Sequence, residues 1–300
     1  MEISVVIPVR NRPEQIRRAV EGVLACDLPR DEYELIVVDN GSTDDTAAAA
    51  AEAGARVVSE PVPNRCRARN RGAEAARGRW IAFIDSDCVP EPGWLGAMAR
   101  AAAEATCEPK RALIAGAVLP APPASPVEAY IAKRRWVDQE KFMQPGRRFS
   151  PPFAATANLM VRRDVYFALN GLDPTLAVAG EDADFCWRAA EAGWQLHYEP
   201  AAAVVHYHRA TIGGLWRQSR DYGLGNAELF ARWHEKWGAT YWIEPRRYAW
   251  AVKALIKAPF YATVGRNALE RREPSYDFLA NTAMALGRIQ GGFKRRVIVI

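Results

Sequence analysis

Cysteine is scarce and unpaired in this chain. The five cysteines, Cys26, Cys66, Cys88, Cys107 and Cys186, are odd in number and include no CxxC pair. That pattern argues against a disulfide framework or a zinc site and for a reducing compartment. No uncharged apolar run reaches the roughly 18 residues that a spanning helix needs. The first apolar run starts at Ile3, and no signal peptide is expected before it. There is no internal repeat, and the one low-complexity tract is the Ala-rich stretch Ala47–Ala51. The segment after the first apolar run, Pro8-Val9-Arg10-Asn11-Arg12, contains no glycine. A nucleotidyltransferase would normally carry a Gly-rich phosphate loop there, so that class ranks low.

What is present is ordinary in bulk and uneven in charge. Hydrophobic residues make up 49% of the 300 and charged residues 25%, as in a soluble globular protein with a sizeable core. Residues 245–300 hold eleven Lys and Arg against three Asp and Glu, a net of +8, whereas the whole chain is only +5. The basic character therefore belongs to the C-terminal segment. Read as a helix, that segment sets Arg246, Lys253 and Lys257 beside Trp250 and Tyr261, with Tyr248, Val252, Leu255 and Ile256 towards the other side. Lysines and aromatics bordering an apolar face suit an anionic membrane surface. A solvated face on a packed helix is the plainer alternative, and Pro259 is expected to interrupt the helix. No nucleic-acid-binding module accompanies the basic tail, so nucleic acid is not an expected partner.

The first 90 residues repeat one grammar of apolar run, polar break and helical stretch. The runs are Ile3–Ile7, Leu35–Val38, Val57-Val58 and Trp80–Ile84, and the helical stretches are Pro13–Ala25, Asp45–Ala53 and Arg67–Ala76. Such alternation predicts an α/β fold with a mostly parallel sheet covered on both faces. Ligands of open parallel sheets bind beyond the carboxyl ends of the strands. Asp39 and the triplet Asp85-Ser86-Asp87 both fall at such ends. Two carboxylates one residue apart there can share a divalent cation such as Mg²⁺. A turn is the competing reading, because Asp and Ser favour turns.

In order along the chain stand ISVVIPVRNR, LIVVDNGSTDDT, RCRARNRGAEAARGRWIAFIDSDCVPEPGWL and the later AATANLMVRRDVYFALNGLDPTLAVAGEDADFCWRAAEAGWQLHYEPAAAVVHYH. This succession, over about residues 1–210, resembles the family 2 glycosyltransferases of the GT-A fold. The resemblance implies an inverting transferase that passes a sugar from a nucleotide-diphosphate sugar to a hydroxyl of a glycan or lipid-linked acceptor. A non-catalytic nucleotide-sugar or glycan-binding module on the same fold is the alternative. A UDP-sugar is the expected donor, with GDP- and dTDP-sugars open, and Mn²⁺ or Mg²⁺ is the implied cation. Residues 1–119 would form the donor half and 120–244 the acceptor half, joined at the proline-rich Pro120–Pro126, with 245–300 as a basic helical extension. The implied location is cytoplasmic, or peripheral on the cytoplasmic face of the membrane.

The same resemblance assigns roles. Asp87 is the implied metal ligand and Asp85 the contact to the donor ribose or sugar, with Ser86 between them. Asp39 would bind the base or ribose, although Asn40-Gly41-Ser42-Thr43 is also turn chemistry. Pro8, Val9, Arg10 and Asn11 would line the nucleotide pocket. Arg65 and Arg69 lie in the stretch that approaches the diphosphate, and Arg69 is the one selected. Arg65, Arg67, Arg69 and Arg71 alternate and cannot all point inward. Asp182 is the implied general base, with Glu181 as the alternative. Acidic residues also suit a helix's first turn, and Asp184 with Arg188 reads as a routine surface pair. His206, closing the apolar run Ala201–Val205, would be a third contact to cation or diphosphate, or else a structural histidine. Trp80, Trp187 and Trp194 read as core.

Overall fold

Strand β1 (Ile3–Val9) forms because nearly every residue in it is apolar and buried. It pairs in parallel with β2 (Tyr33–Asp39) on one side and β4 (Trp80–Ile84) on the other, and β3 (Arg56–Ser59) lies outside β2. Helices α1 (Pro13–Leu24), α2 (Thr46–Glu52) and α3 (Arg65–Ala75) return the chain between these strands. Alternate side chains of β1 enter two different cores. Ile3, Val5 and Ile7 pack with Ile16, Val20 and Val23 of α1, while Val6 packs with Cys66, Ala68 and Ala73 of α3. The sheet is thus covered on both faces, as its continuous apolar runs predict.

The computed structural model describes residues 2–144, 151–243, 245–264 and 267–299, without the side chains of 246–248, 251, 264 and 268. After β4 come β5 (Cys88–Pro90), α4 (Trp94–Ala105), β6 (Arg111–Pro120), α5 (Pro126–Arg134) and α6 (Gln139–Met143). Then follow β7 (Asn158–Arg162), α7 (Arg163–Ala168), α8 (Glu181–Glu191) and β8 (Gln195–His206). The eight strands run β3-β2-β1-β4-β7-β6-β8-β5. Strand β7 is antiparallel to both neighbours, β5 is antiparallel to β8, and the other pairs are parallel. This mostly parallel sheet flanked by helices is the expected fold class.

The β6–β8 ladder breaks between Gly116 and Val118. Buried Asn158 fills the break: its Nδ2 donates to the carbonyls of Ala117 and Ala202 at 2.8 Å, and its Oδ1 accepts from Trp94 Nε1 at 2.9 Å. A Cβ at residue 116 would lie 2.1 Å from the Ala202 carbonyl oxygen, so glycine is required there.

The C-terminal part is helical: α9 (Ile212–Trp233), α10 (Pro245–Val264) and α11 (Ala268–Arg295), with a two-stranded ribbon of β9 (Tyr241–Trp242) and β10 (Ile298–Val299). Helix α11 packs on the core. Tyr276 and Ala280 join Val127, Tyr130 and Ile131 of α5 and Leu215 of α9. Helix α10 runs through Pro259, contrary to expectation, and the exposed position leaves the freed carbonyl within reach of water. The side chains of Arg246 and Tyr248 lie outside the described residues. Among the described residues no helix is long and apolar enough to cross a membrane.

Glycines set the distance between α9 and α11. A Cβ on Gly287 would meet the Arg220 carbonyl oxygen at 2.1 Å, and one on Gly223 would meet the Met284 carbonyl oxygen at 2.2 Å. Both obstacles are backbone, so the helices must separate to admit a methyl group. Gly287→Ala is expected to destabilise the fold by about 1–3 kcal/mol despite alanine's better helix propensity. Urea denaturation checks this, and unchanged stability would show that the seam can relax.

Candidate active site

The acidic triplet forms the turn between β4 and β5, and both of its aspartates line one cavity. Cys88 N–H donates to the Asp85 carbonyl at 3.0 Å, closing the turn between β4 and β5. Strand β5 then pairs with β8, with Cys88 opposite His206, and Tyr207 N–H donates to the Asp87 carbonyl at 2.9 Å. This ladder places His206 Nε2 3.5 Å from Asp87 Oδ1, and Arg209 Nη1 lies 3.6 Å from Asp87 Oδ2. Asp87, Cys88 and His206 offer ligand atoms within 4.8 Å of one another.

His206 Nδ1 and His208 Nδ1 lie 3.0 Å apart, so one proton serves both. Burial, then the neighbouring His206 and Arg209, push His208 down to about 4, which keeps it neutral. When His208 Nδ1 is the hydrogen-bond acceptor, His206 donates through Nδ1 and its Nε2 faces the Asp87 carboxylate, an arrangement that suits a cation between the two. The carboxylate oxygen and imidazole nitrogen are suitable donors for Mn²⁺. The Cys88 thiol is held protonated, because burial and then Asp87 push it well above the ordinary thiol range.

Arg69 ties two elements of the site together. Helical periodicity places Cys66, Arg69 and Ala73 towards the sheet and leaves Arg65, Arg67 and Arg71 exposed. Arg69 Nη2 donates to Asp85 Oδ1 at 2.5 Å, and Nη1 lies 3.4 Å from Glu181 Oε1. Arg65 approaches the same Glu181 oxygen at 3.8 Å. Burial pushes the Asp85 carboxyl up, but Arg69 and then His206 outweigh it and hold it below its ordinary value.

Helix α8 starts after Gly180, whose φ of +95° suits glycine and whose missing Cβ leaves room for Leu229. Glu181 is buried, and Asp182 is half-buried. Burial, and then the adjacent Glu181, push the Asp182 carboxyl up to about 7. A general base works best with such a value near the operating pH. Asp184 is not a surface residue. It is fully buried and accepts from Arg188 Nε at 2.8 Å, Trp233 Nε1 at 3.1 Å and Arg232 Nη1 at 3.3 Å. It fastens α8 to α9, a link between segments too distant in sequence for helical spacing to reveal.

One cavity of about 1140 Å³ brings together Arg69, Asp85, Asp87, Glu181, Asp182 and His206. Trp187 also lines it, whereas Trp80 is core and Trp194 lies half-buried beneath Arg162. Pro8, Val9, Arg10, Asn11 and Asp39 gather at the ends of β1 and β2 but do not line this cavity. There Asn11 N–H donates to Ser42 Oγ at 3.0 Å, Thr43 N–H to Asn11 Oδ1 at 2.9 Å, and Ser42 N–H to Asp39 Oδ1 at 3.3 Å. Ser86 sits in the turn and is likewise not on the cavity wall. Arg209, Gln218, Tyr222, Asn226 and Arg288 are wall residues that no sequence motif marks. For the four on α9 and α11 the one legible sign is the glycines inside those helices, which mark close helix approach.

An open α/β sheet with an acidic turn after its fourth strand, facing a carboxylate pair on a later helix, is the GT-A arrangement of glycosyltransferases. The family described as "Glycosyl transferase family 2" matches residues 4–167, and the chain belongs to that family. It is 32% identical over 248 residues to the pre-mycofactocin glycosyltransferase of Mycobacterium tuberculosis, covering 78% of this chain and 49% of that one. It is 28% identical to glycosyltransferase AglE of Haloferax volcanii, covering 76% of this chain and 74% of that one. The chain thus spans about half the length of the mycobacterial relative. Among solved structures it is similar to the mannosyltransferase PcManGT of Pyrobaculum calidifontis in complex with GDP-Man and Mn²⁺. The TM-score is 0.59 at 16% identity, covering 96% of this chain and 87% of that one. It is also similar to S. aureus TarS 1-349 in complex with UDP-GlcNAc, with a TM-score of 0.54 at 14% identity, covering 99% and 93%.

Proposed function

We propose that the protein is an inverting, cation-dependent glycosyltransferase that moves one sugar from a nucleotide-diphosphate sugar to an acceptor hydroxyl. One observation carries this reading: the Asp87–His206 pair and a carboxyl raised to about 7, Asp182, line the same cavity. Asp87 and His206 would hold the cation, which would supply Lewis-acid stabilisation of the departing diphosphate. Arg209, beside Asp87, adds a guanidinium suited to the same phosphates. Arg69 holds Asp85 in position to meet the donor's ribose or sugar. Asp39 and Pro8–Asn11, gathered on the neighbouring strand ends, would receive the nucleoside.

Asp182 takes the proton of the acceptor hydroxyl as that oxygen attacks the anomeric carbon. The bond from that carbon to the diphosphate oxygen breaks in the same displacement, and a single displacement inverts the anomeric configuration. Residues 1–119 bind the donor in this reading, and 120–244 supply the base and the acceptor wall. The neighbours' ligands, GDP-Man and UDP-GlcNAc, support a nucleotide sugar as donor, with UDP, GDP and dTDP as the nucleotides to compare.

Thermal-shift titration with UDP-, GDP- and dTDP-sugars, with Mn²⁺ and with EDTA, tests the reading. A ligand that binds only the native state raises the midpoint by mass action. One nucleotide is expected to stand out, and only with the cation. Asp87→Ala is expected to abolish that cation-dependent part in isothermal titration. Equal affinity with Mn²⁺ and with EDTA in the wild type would overturn the role given to Asp87 and His206.

A further inference from the structure

Helix α10 carries large apolar side chains on its outer face. Among its described residues only Ala254 is buried. Val252, Leu255, Ile256 and Phe260 are between 56% and 73% exposed. At 100° per residue these four form one stripe, and it points directly away from Ala254. Among the described residues the helix turns Ala254 to the protein, with half-buried Ala258 and Tyr261 and with Trp250 against Arg134 on the same side, and holds the four large apolar side chains outward. Contiguous exposed apolar surface of this kind marks an interaction site.

Charge decides between the occupants. Helix α10 contains Arg246, Arg247, Lys253 and Lys257 and no acidic residue. Lys253 and Lys257 are exposed and lie along one border of the stripe. A second copy packed stripe to stripe would bring like charges together without compensation. An anionic bilayer gives the apolar stripe a hydrocarbon boundary and gives the lysines their counter-charge. The position fits as well. Trp242, Ile243 and Pro245, the last being the first residue of α10, line the cavity. The helix thus begins where the cavity wall ends.

We propose that α10 docks in the plane of an anionic bilayer through Val252, Leu255, Ile256 and Phe260, with Lys253 and Lys257 on the headgroups. The cavity edge at Ile243 and Pro245 then lies beside the membrane, where an acceptor carried on a lipid would arrive. Only that last statement rests on the proposed transferase reading. The docking itself stands on the helix.

Flotation of the whole chain with phosphatidylcholine vesicles, with and without phosphatidylglycerol, tests the docking. The wild type is expected to float with the anionic vesicles at low salt and to release at high salt. Ile256→Glu with Phe260→Glu should lower the partition coefficient by at least ~100-fold. Lys253→Glu with Lys257→Glu should lower it by roughly 25-fold or more. All four side chains are exposed, so thermal midpoints and cation-dependent nucleotide binding should match the wild type. Those two measurements separate a failure of docking from a failure of the transferase reading. A wild type that ignores anionic vesicles overturns the proposal, as does an Ile256→Glu/Phe260→Glu variant that binds them equally well. A dimer that this variant dissolves, in a chain that does not float, would assign the stripe to a second copy instead.

Discussion

Asp182→Asn is expected to lower turnover by about 10²–10⁴-fold, the usual cost of losing a positioned general base, while leaving donor nucleotide affinity unchanged. Asparagine keeps the size of the side chain, and its Oδ1 can still accept from the Ala183 N–H that Asp182 Oδ1 accepts at 2.8 Å. What it cannot do is accept the acceptor's proton. The pH profile gives a second readout. With the carboxyl raised to about 7, the base form is in the minority below that pH. Wild-type turnover should therefore climb as pH rises towards neutrality and then level, and the climb should be missing from the residual activity of Asp182→Asn. The linked effect on stability has the opposite direction. Between the ordinary carboxyl value of 3.8 and about 7, the native state holds a proton that the unfolded chain has released. The wild type should thus lose stability relative to Asp182→Asn as pH rises through that window. Single-turnover kinetics across the range checks the first point and urea denaturation the second. Near-normal turnover in Asp182→Asn, with turnover lost in Glu181→Gln, would move the base to Glu181.

Arg69→Met should be the most destabilising change in the site, at about 3–5 kcal/mol, because it leaves buried charge without its partner. Methionine replaces the apolar stem and removes the guanidinium. Among the described residues Glu181, with its side chain 4% exposed, then keeps the more distant Arg65 as its ion-pair partner, and Asp85 loses its 2.5 Å donor. The pH dependence has a definite sign. A carboxyl held low in the native state contributes stability above its ordinary value and loses it as pH falls through the native value. Arg69 is the strongest of the groups that hold Asp85 low, ahead of His206 and Arg65. The deficit of Arg69→Met should therefore be largest near neutral pH and shrink in acid, where the stranded carboxylates take up protons. Arg67→Met, an exposed residue of the same helix, should stay within about 0.5 kcal/mol of the wild type. Equal losses in the two variants would mean that the Arg69 contacts carry no special weight.

Strands β1, β2 and β4 are legible in the sequence because each is largely buried on both faces and reads as a nearly unbroken apolar run, whereas edge strand β3, with Arg56 and Ser59 exposed, shows only Val57-Val58. The acidic turn is legible because it follows such a run, and His206 because it closes one. Arg69 is only partly legible: spacing shows that four alternating arginines cannot all point inward, and which one does, with its partners Asp85 and Glu181, is fixed by the fold. Strand β7 is harder still. It enters between β4 and β6 against their direction, and no local pattern in Asn158–Arg162 announces that neighbour. The cavity wall from α9 and α11 is the least legible part. Its residues are scattered among ordinary amphipathic positions, and only the glycines of the seam hint at the contact. Asp39 and Pro8–Asn11 reach the expected rim, but beside the cavity rather than on its wall.

The pairing of β5 with β8 has a consequence for how this site can diversify. The Asp87–His206 spacing belongs to a strand ladder, with Cys88 in register opposite His206 and the Tyr207 N–H closing on the Asp87 carbonyl. The far wall of the cavity belongs to helices α9 and α11, which meet each other along a glycine seam and meet α5 and α8 through side chains. Substitutions at Gln218, Tyr222, Asn226 or Met284 can reshape what fits there without moving a single hydrogen bond of the ladder. The molecule is divided into a fixed anvil and an interchangeable die.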